Sequence, residues 1–272
     1  MANGYLQAGD AALSRLPVNR VKALAAYDRA RAVRPNDLAL RRRLLDRYVN
    51  LEAYRKAAEC LPGPPSSDPA LFLAGGQILL YSHRPQEGAA LLQLALNATQ
   101  PNSLARAWTQ NNVGYVLADA GYDLPDALRL TQAAAEALAE QSVVIDSVGW
   151  AHYRLGHYEE AAFHLEYALR HLRQPTFALW EWLSPGRRGW MLLSAQEIQS
   201  LPTIEYHLGA AYARLGRVAG AQRLLRRSVQ HDPYYAPARE ELRKLRFQLP
   251  PAWDEGRLVS APTPAQPGRN AL

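Results

Sequence analysis

The sequence predicts an all-α fold built from stacked helical hairpins, and three observations carry that prediction. Val148-Gly149, Tyr158, Ala161, Leu165 and Ala168 reappear sixty positions later, in the same spacing, as Leu208-Gly209, Val218, Ala221, Leu225 and Ser228. Gly156 and Gly216 each follow seven residues after the glycine of that motif, where one helical pattern ends and the next begins. Ala57 stands 34 residues after Ala23, each with a matching set of apolar neighbours. An array of such units is first a device for building surface, so function is to be sought on a face and not in one catalytic cluster.

The fifth unit sets the register. Its first helix is expected at about Val143 to Leu155 and its second at about Tyr158 to Leu172, with Gly156-His157 as the turn. Small residues at Gly149, Ala161 and Ala168 let the two backbones approach closely, while Val148, Tyr158 and Leu165 fill the space between them. The sixth unit repeats this with Gly209, Tyr212, Gly216, Val218, Ala221, Leu225, Ser228 and Pro233. At the N-terminal end Ala23, Tyr27, Ala30 and Pro35 keep the spacing of Ala221, Leu225, Ser228 and Pro233; Tyr48, Tyr54, Ala57 and Leu61 make a second unit. A third follows Asp68-Pro69, an N-cap with proline at the first helical position, and carries Gly76, Gly88, Leu92 and Ala95. Gly114, Gly121, Ala127 and Ala134 mark a fourth, with one extra residue in its turn. Six units thus start near residues 4, 38, 69, 107, 142 and 202, and the Pro62 to Ser67 loop shortens the second.

The pattern of Gly, Tyr, Ala and Pro at this period resembles the tetratricopeptide repeat (TPR) over residues 4 to 235. That resemblance implies a right-handed α-solenoid of about six helix-turn-helix units, whose first helices line a concave groove. The stretch Asn112-Val113-Gly114-Tyr115-Val116-Leu117-Ala118-Asp119, with Asp146-Ser147-Val148-Gly149-Trp150 and Tyr153-Arg154, is also similar to a subgroup of bacterial repeat proteins. Some of those are exported lipoproteins that act as adaptors for envelope proteases; this chain carries no lipobox.

Two features depart from the array. Residues 176–201 interrupt it between units five and six, with Trp180, Trp182, Trp190 and Met191 around Ser184-Pro185-Gly186, and with Ser194 and Glu197 as a capping box for a short helix. The insertion reads either as extra helix covering apolar surface or as a projecting flap, in which the three tryptophans are candidate interface residues. Residues 238–249 read as an amphipathic capping helix, with Leu242, Leu245 and Leu249 on one side, that closes a solenoid of residues 1–249. Prolines at 250, 251, 262, 264 and 267 mark residues 250–272 as an unstructured tail.

Composition narrows the function classes. The net charge of +6 comes from 31 basic residues, all arginine except Lys22, Lys56 and Lys244, interspersed with acids. Nucleic-acid binding through Arg41, Arg42, Arg43 and Arg47, or through Arg223, Arg226 and Arg227, is therefore a weak alternative. Cys60 is the single cysteine, which excludes an intrachain disulfide and a CxxC pair. No phosphate-loop, nucleophile-elbow, zincin or dinucleotide string occurs, so no enzyme activity and no cofactor are expected. His157, His164 and His171 lie seven apart, too far along a helix to grip one metal without other ligands. With no apolar leader and no membrane-length run, the chain as written reads as cytoplasmic, or periplasmic if a leader has been removed.

The expected function is a non-enzymatic scaffold or adaptor holding a protein segment in the groove. Candidate binding residues are those on the first helices away from the packed stripe: Asn111 and Tyr115 in unit four; Asp146, Trp150, Tyr153 and Arg154 in unit five; Tyr206 and Arg214 in unit six. Chaperone-tail receptors of the resembled family share a clamp that begins with Lys or Arg and has Asn four residues later. Here Arg42 is followed by Asp46, and the later clamp positions fall on Ala74 and Trp108, so a receptor of that kind is not expected. Self-assembly through the insertion or the array ends is the alternative role.

Overall fold

The computed structural model of the chain describes residues 1–61, 68–173 and 195–246, which hold thirteen α-helices and no strand. They pair as α1 (Ala2–Leu13) with α2 (Arg20–Val33), α3 (Leu38–Asn50) with α4 (Tyr54–Ala58), and α5 (Pro69–Tyr81) with α6 (Pro85–Asn97). The series continues with α7 (Leu104–Ala120) on α8 (Leu124–Ala137), α9 (Ser142–Leu155) on α10 (Tyr158–Arg173), and α11 (Ala195–Arg214) on α12 (Val218–His231). A last helix, α13 (Ala236–Arg246), packs on α12 and α11. The chain is an all-α solenoid. Trp180, Trp182 and Trp190 fall outside the described residues, as do Leu249 and the C-terminal tail.

Local chemistry starts and stops these helices. The carboxamide of Asn19 accepts from the Lys22 N–H at 2.8 Å, Asp37 from Leu40 at 3.0 Å, Asp68 from Ala70 at 2.9 Å and the Ser103 hydroxyl from Arg106 at 3.0 Å. Each satisfies a helix-end donor that has no intrahelical partner and contributes about 1 kcal/mol. Gly156 ends α9 at φ +86°, and the equivalent turn positions of the second and third hairpins, Glu52 and His83, take φ values of +59° and +62° with a side chain in place.

Within a hairpin the helices nearly touch. A Cβ built on Gly149 would lie 2.7 Å from Leu165 Cγ and 3.3 Å from the Ala161 carbonyl. Ala161, Leu165 and Ala168 have no exposed surface, as the small-large-small spacing requires.

The first helices of successive hairpins also touch one another, α3 to α5 to α7 to α9 to α11, forming an inner layer; the second helices lie outside it. The array then closes, because α1 contacts α11. The loop after α1 carries Leu16 into the core of the fifth and sixth hairpins, while Ile198 of α11 packs against the N-terminal core. The Val18 N–H donates to the His231 carbonyl at 2.7 Å, and Arg20 pairs with Asp232, whose side chain is fully enclosed.

This closure explains a difference from the sequence reading. Pro202 suits a helix start, yet α11 begins at Ala195 and runs through it, although proline cannot donate to the carbonyl four residues back. Leu201 is only 2% exposed and Ile198 reaches the first hairpin, so tertiary burial holds the turns that precede the proline. The Ser228 hydroxyl donates to the Pro202 carbonyl at 2.7 Å and ties that segment to α12.

Candidate functional site: a closed inner cavity

Where the ends of the array meet, a half-open cavity of about 520 Å³ forms, whose wall draws on α1, α3, α4, α5, α7, α9 and α11, the turn after α3, and Arg20 and Tyr235 from the two ends of the array. Among the described residues four carboxylates, Asp46, Glu52, Asp119 and Asp146, share the wall with a single guanidinium, that of Arg20. Rings and amides fill the intervals.

Three of the sequence-predicted residues, Asn111, Tyr115 and Asp146, stand on this wall. Asn111 is 5% exposed, and its carboxamide oxygen is without a hydrogen-bond partner; its Nδ2 donates to Asn112 Oδ1 at 3.3 Å. Burial drives the Tyr115 phenol far above the ordinary tyrosine pKa, so it is a neutral donor at physiological pH. Asp146 is held from behind, both of its oxygens lying 2.9 and 3.0 Å from Nδ1 of the buried His207. Asp46, Ala74 and Trp108, the positions compared with the chaperone-tail clamp, line the cavity too, with a carboxylate, a methyl and an indole.

The other five predicted residues do not form the wall. Trp150 is not an open platform: it is 3% exposed, because α11 lies against α9 and places His207 over the indole at 3.9 Å, with Tyr153 stacked at 4.7 Å. Its ring N–H donates to Asp119 Oδ1 at 3.1 Å. Tyr206 packs edge-on to Tyr235 and obliquely to Trp150. Arg154 donates to the Asp119 carbonyl and sits close over Gly121, where any side chain would meet it. Arg214 is exposed and bonds the Tyr158 hydroxyl at 3.1 Å. These residues orient the wall from behind or lie away from it.

Sequence reasoning missed the half of the site contributed by the second and third hairpins. Tyr81 donates to Asp119 and stacks on Tyr54, ring centroids 4.6 Å apart and 10° from parallel. Arg20 lies 5.2 Å above the Tyr235 ring and 3.9 Å from Glu52. The Tyr48-Tyr54 spacing flagged the second hairpin as a repeat but not as wall. Neither Glu52 nor Tyr235 lies on a first-helix stripe.

The electrostatics of the wall are unfavourable. Desolvation raises the Glu52 carboxyl above its ordinary pKa, and the charges of Asp119 and Asp232 add to the rise against the pull of Arg20. Its side chain is 56% exposed, but into the cavity, so water reaches it while protein crowds its surroundings. Desolvation likewise raises Asp46, against Arg47 and Arg42. A carboxyl held more tightly protonated when folded destabilises the fold once ionised. That penalty is absent below the unfolded pKa of about 4.3, grows through the raised folded value and persists above it. Glu52→Gln is therefore expected to raise the Tm by about 1–2 °C at neutral pH and to leave it unchanged near pH 3, as followed by calorimetry. A loss of stability at pH 7 would assign Glu52 a net attractive role.

Elsewhere the arginine clusters are engaged with their own chain. Arg42 pairs with Asp68, Arg47 with Asp10 at 2.7 Å, and Arg227 with Glu205 at 2.9 Å. His152 stacks on His164 at 5.4 Å, burial lowering the pKa of both; among the described residues no group of three side chains could hold a metal ion. No helix among them is long and apolar enough to cross a membrane.

No family model and no curated protein matches the chain. Among solved structures it is similar to PilW, a widely conserved type IV pilus biogenesis factor, at 14% sequence identity and a TM-score of 0.49, over 89% of this chain and 98% of that one. By its own architecture, helical hairpins stacked through their small-residue contacts with the two ends in contact, the chain is an all-α helical-repeat protein.

Proposed function

We propose that the protein is a non-enzymatic scaffold that holds a segment of another protein in the inner cavity. The observation that carries this reading is the continuous concave wall made by consecutive first helices, with rings and amides lining one space. Its volume falls within the range of pockets that enclose side chains or small ligands, so it suits a few anchor residues of an extended segment more than a folded surface. An amide wall can bond the exposed backbone of such a segment, and the stacked pair Tyr54 and Tyr81 offers apolar contact beside it.

Site-specific photocrosslinking tests the reading. A benzophenone amino acid in place of Trp108, on the cavity wall, is expected to trap a discrete protein partner in the native extract, and the trapped peptide should be short and extended. The same group in place of Leu94, exposed on α6, is the control. Equal trapping from both positions, or none from Trp108, would count against the cavity as the binding surface.

A further inference from the structure

Resting on that reading, we propose that the cavity is built for a cationic anchor: the side chain of an arginine or lysine in the bound protein segment enters it and lies among Asp46, Glu52, Asp119 and Asn111.

The chain carries a net +6, yet the cavity wall reverses that sign among the described residues, with four carboxylates to one guanidinium. A concave wall of one sign focuses its field inward, so a cation is drawn into the cavity although the molecule as a whole repels it. The acids differ in what they have left to give. Both oxygens of Asp146 face His207, and those of Asp119 accept from Tyr81 and Trp150. Asp46 makes no hydrogen bond among the described residues, and the nearest cation to Glu52 is Arg20 at 3.9 Å, beyond hydrogen-bonding distance. Asp46 and Glu52 therefore retain acceptor capacity for a cation that enters the cavity.

The Asn111 carboxamide oxygen is an acceptor inside the wall, with its residue 95% withdrawn from solvent, and it has no donor. Leaving such an atom unpaired costs about 1–3 kcal/mol, and Asn111 is a residue of the cavity lining, so a donor entering the cavity that reached this oxygen would relieve that cost. An anion or a carboxylate brings acceptors and worsens both defects. A guanidinium brings five N–H donors in a fork and an ammonium brings three, and either group also favours the ring faces of Tyr54 and Trp108 on the same wall.

The test uses the full chain and random twelve-residue peptides displayed on phage. Selected peptides are expected to share an arginine or lysine at one position. The synthetic form of the strongest should lose about tenfold in affinity, by fluorescence polarisation, when that arginine becomes citrulline. Glu52→Gln with Asp46→Asn should weaken the same peptide about tenfold without harming the fold, because both carboxyls are already destabilising when ionised. Asn111→Leu should weaken it about fivefold at an unchanged or higher Tm, whereas a purely structural amide would lower the Tm and spare binding. Agmatine, a free guanidinium probe, should compete.

Selection of neutral or acidic peptides whose binding the cavity variants abolish would overturn the cationic anchor and leave the protein-segment reading standing. Agmatine bound in the cavity with no peptide selected would overturn the proposal in the other direction, making the cavity a small-cation site and removing the protein segment. Neither agmatine nor any peptide bound would remove both.

Discussion

Arg20→Ala is expected to open the ring at a cost of about 3 kcal/mol. Arg20 is the main charge latch between the first hairpin and the last: its guanidinium pairs with Asp232, lies over the Tyr235 ring at 5.2 Å and reaches Glu52 at 3.9 Å. Asp232 has no exposed side-chain surface, so removing its partner strands a carboxylate in the interior, the expensive way to break an ion pair. The partial exposure of Arg20 moderates the loss, and the cation–π contact adds about 0.5–1 kcal/mol to it. What remains at the seam is the Val18 to His231 hydrogen bond and the packing of Leu16 and Ile198. Chemical denaturation reads the stability, and small-angle scattering reads the opening as a larger radius of gyration.

A companion variant separates two causes. With Asp232→Asn added, no charge is left buried, and the amide oxygen can still accept from the Tyr234 N–H as the carboxylate does at 3.1 Å. Most of the lost stability should return in the double variant if stranded charge is the cause, and none of it if Arg20 acts through contact alone. Wild-type stability and unaltered scattering in Arg20→Ala would mean that the seam is not held by this pair. The closure matters beyond stability, since Val18, Arg20, Gln199, Ser200, Thr203 and Tyr235 reach the cavity only when the ends meet.

The seam also marks where sequence reasoning ran out. The hairpins were legible because their determinants are local: Gly149 and Ala161 are twelve residues apart, and the clash a side chain would meet at Gly149 is with the very Leu165 and Ala161 that the spacing singles out. Helix faces are legible for the same reason, and Asn111, Tyr115 and Asp146 are among the residues that line the cavity. A face, however, says nothing of what the next helix lays over it. Trp150 lies one turn after Asp146 on α9, but His207 of α11 covers it, and no periodicity within α9 encodes that cover. Arg20 and Asp232 are 212 residues apart, and both sit at helix boundaries, where apolar period carries no information. The seven residues by which α11 precedes Pro202 read in sequence as the end of an insertion with its own short helix, not as the first turns of α11. Their helix is stabilised by the first hairpin, a contact that exists only after the array has curved back on itself.

Ala161→Trp tests the close packing on which that curvature depends. Ala161 has no exposed surface; its carbonyl would lie 3.3 Å from a Cβ at Gly149, and it belongs to the core shared by the fifth and sixth hairpins. An indole has no empty volume to occupy there, so α9 and α10 must separate or the core must shift, at about 3 kcal/mol. In an open array the damage would stay with the nearest neighbours, because each repeat contacts only the next. In a closed ring it propagates to the seam: a change in the angle between the fifth and sixth hairpins moves α11 relative to α1, so Ala161→Trp should also enlarge the molecule in solution. Ala219→Trp, at an exposed position on α12, is the control and should stay within about 0.5 kcal/mol of wild type. If Ala161→Trp matches that control in denaturation and scattering, the small-residue contact is not close-packed, and the register anchored on Ala161 and Ala221 does not set the geometry of the ring.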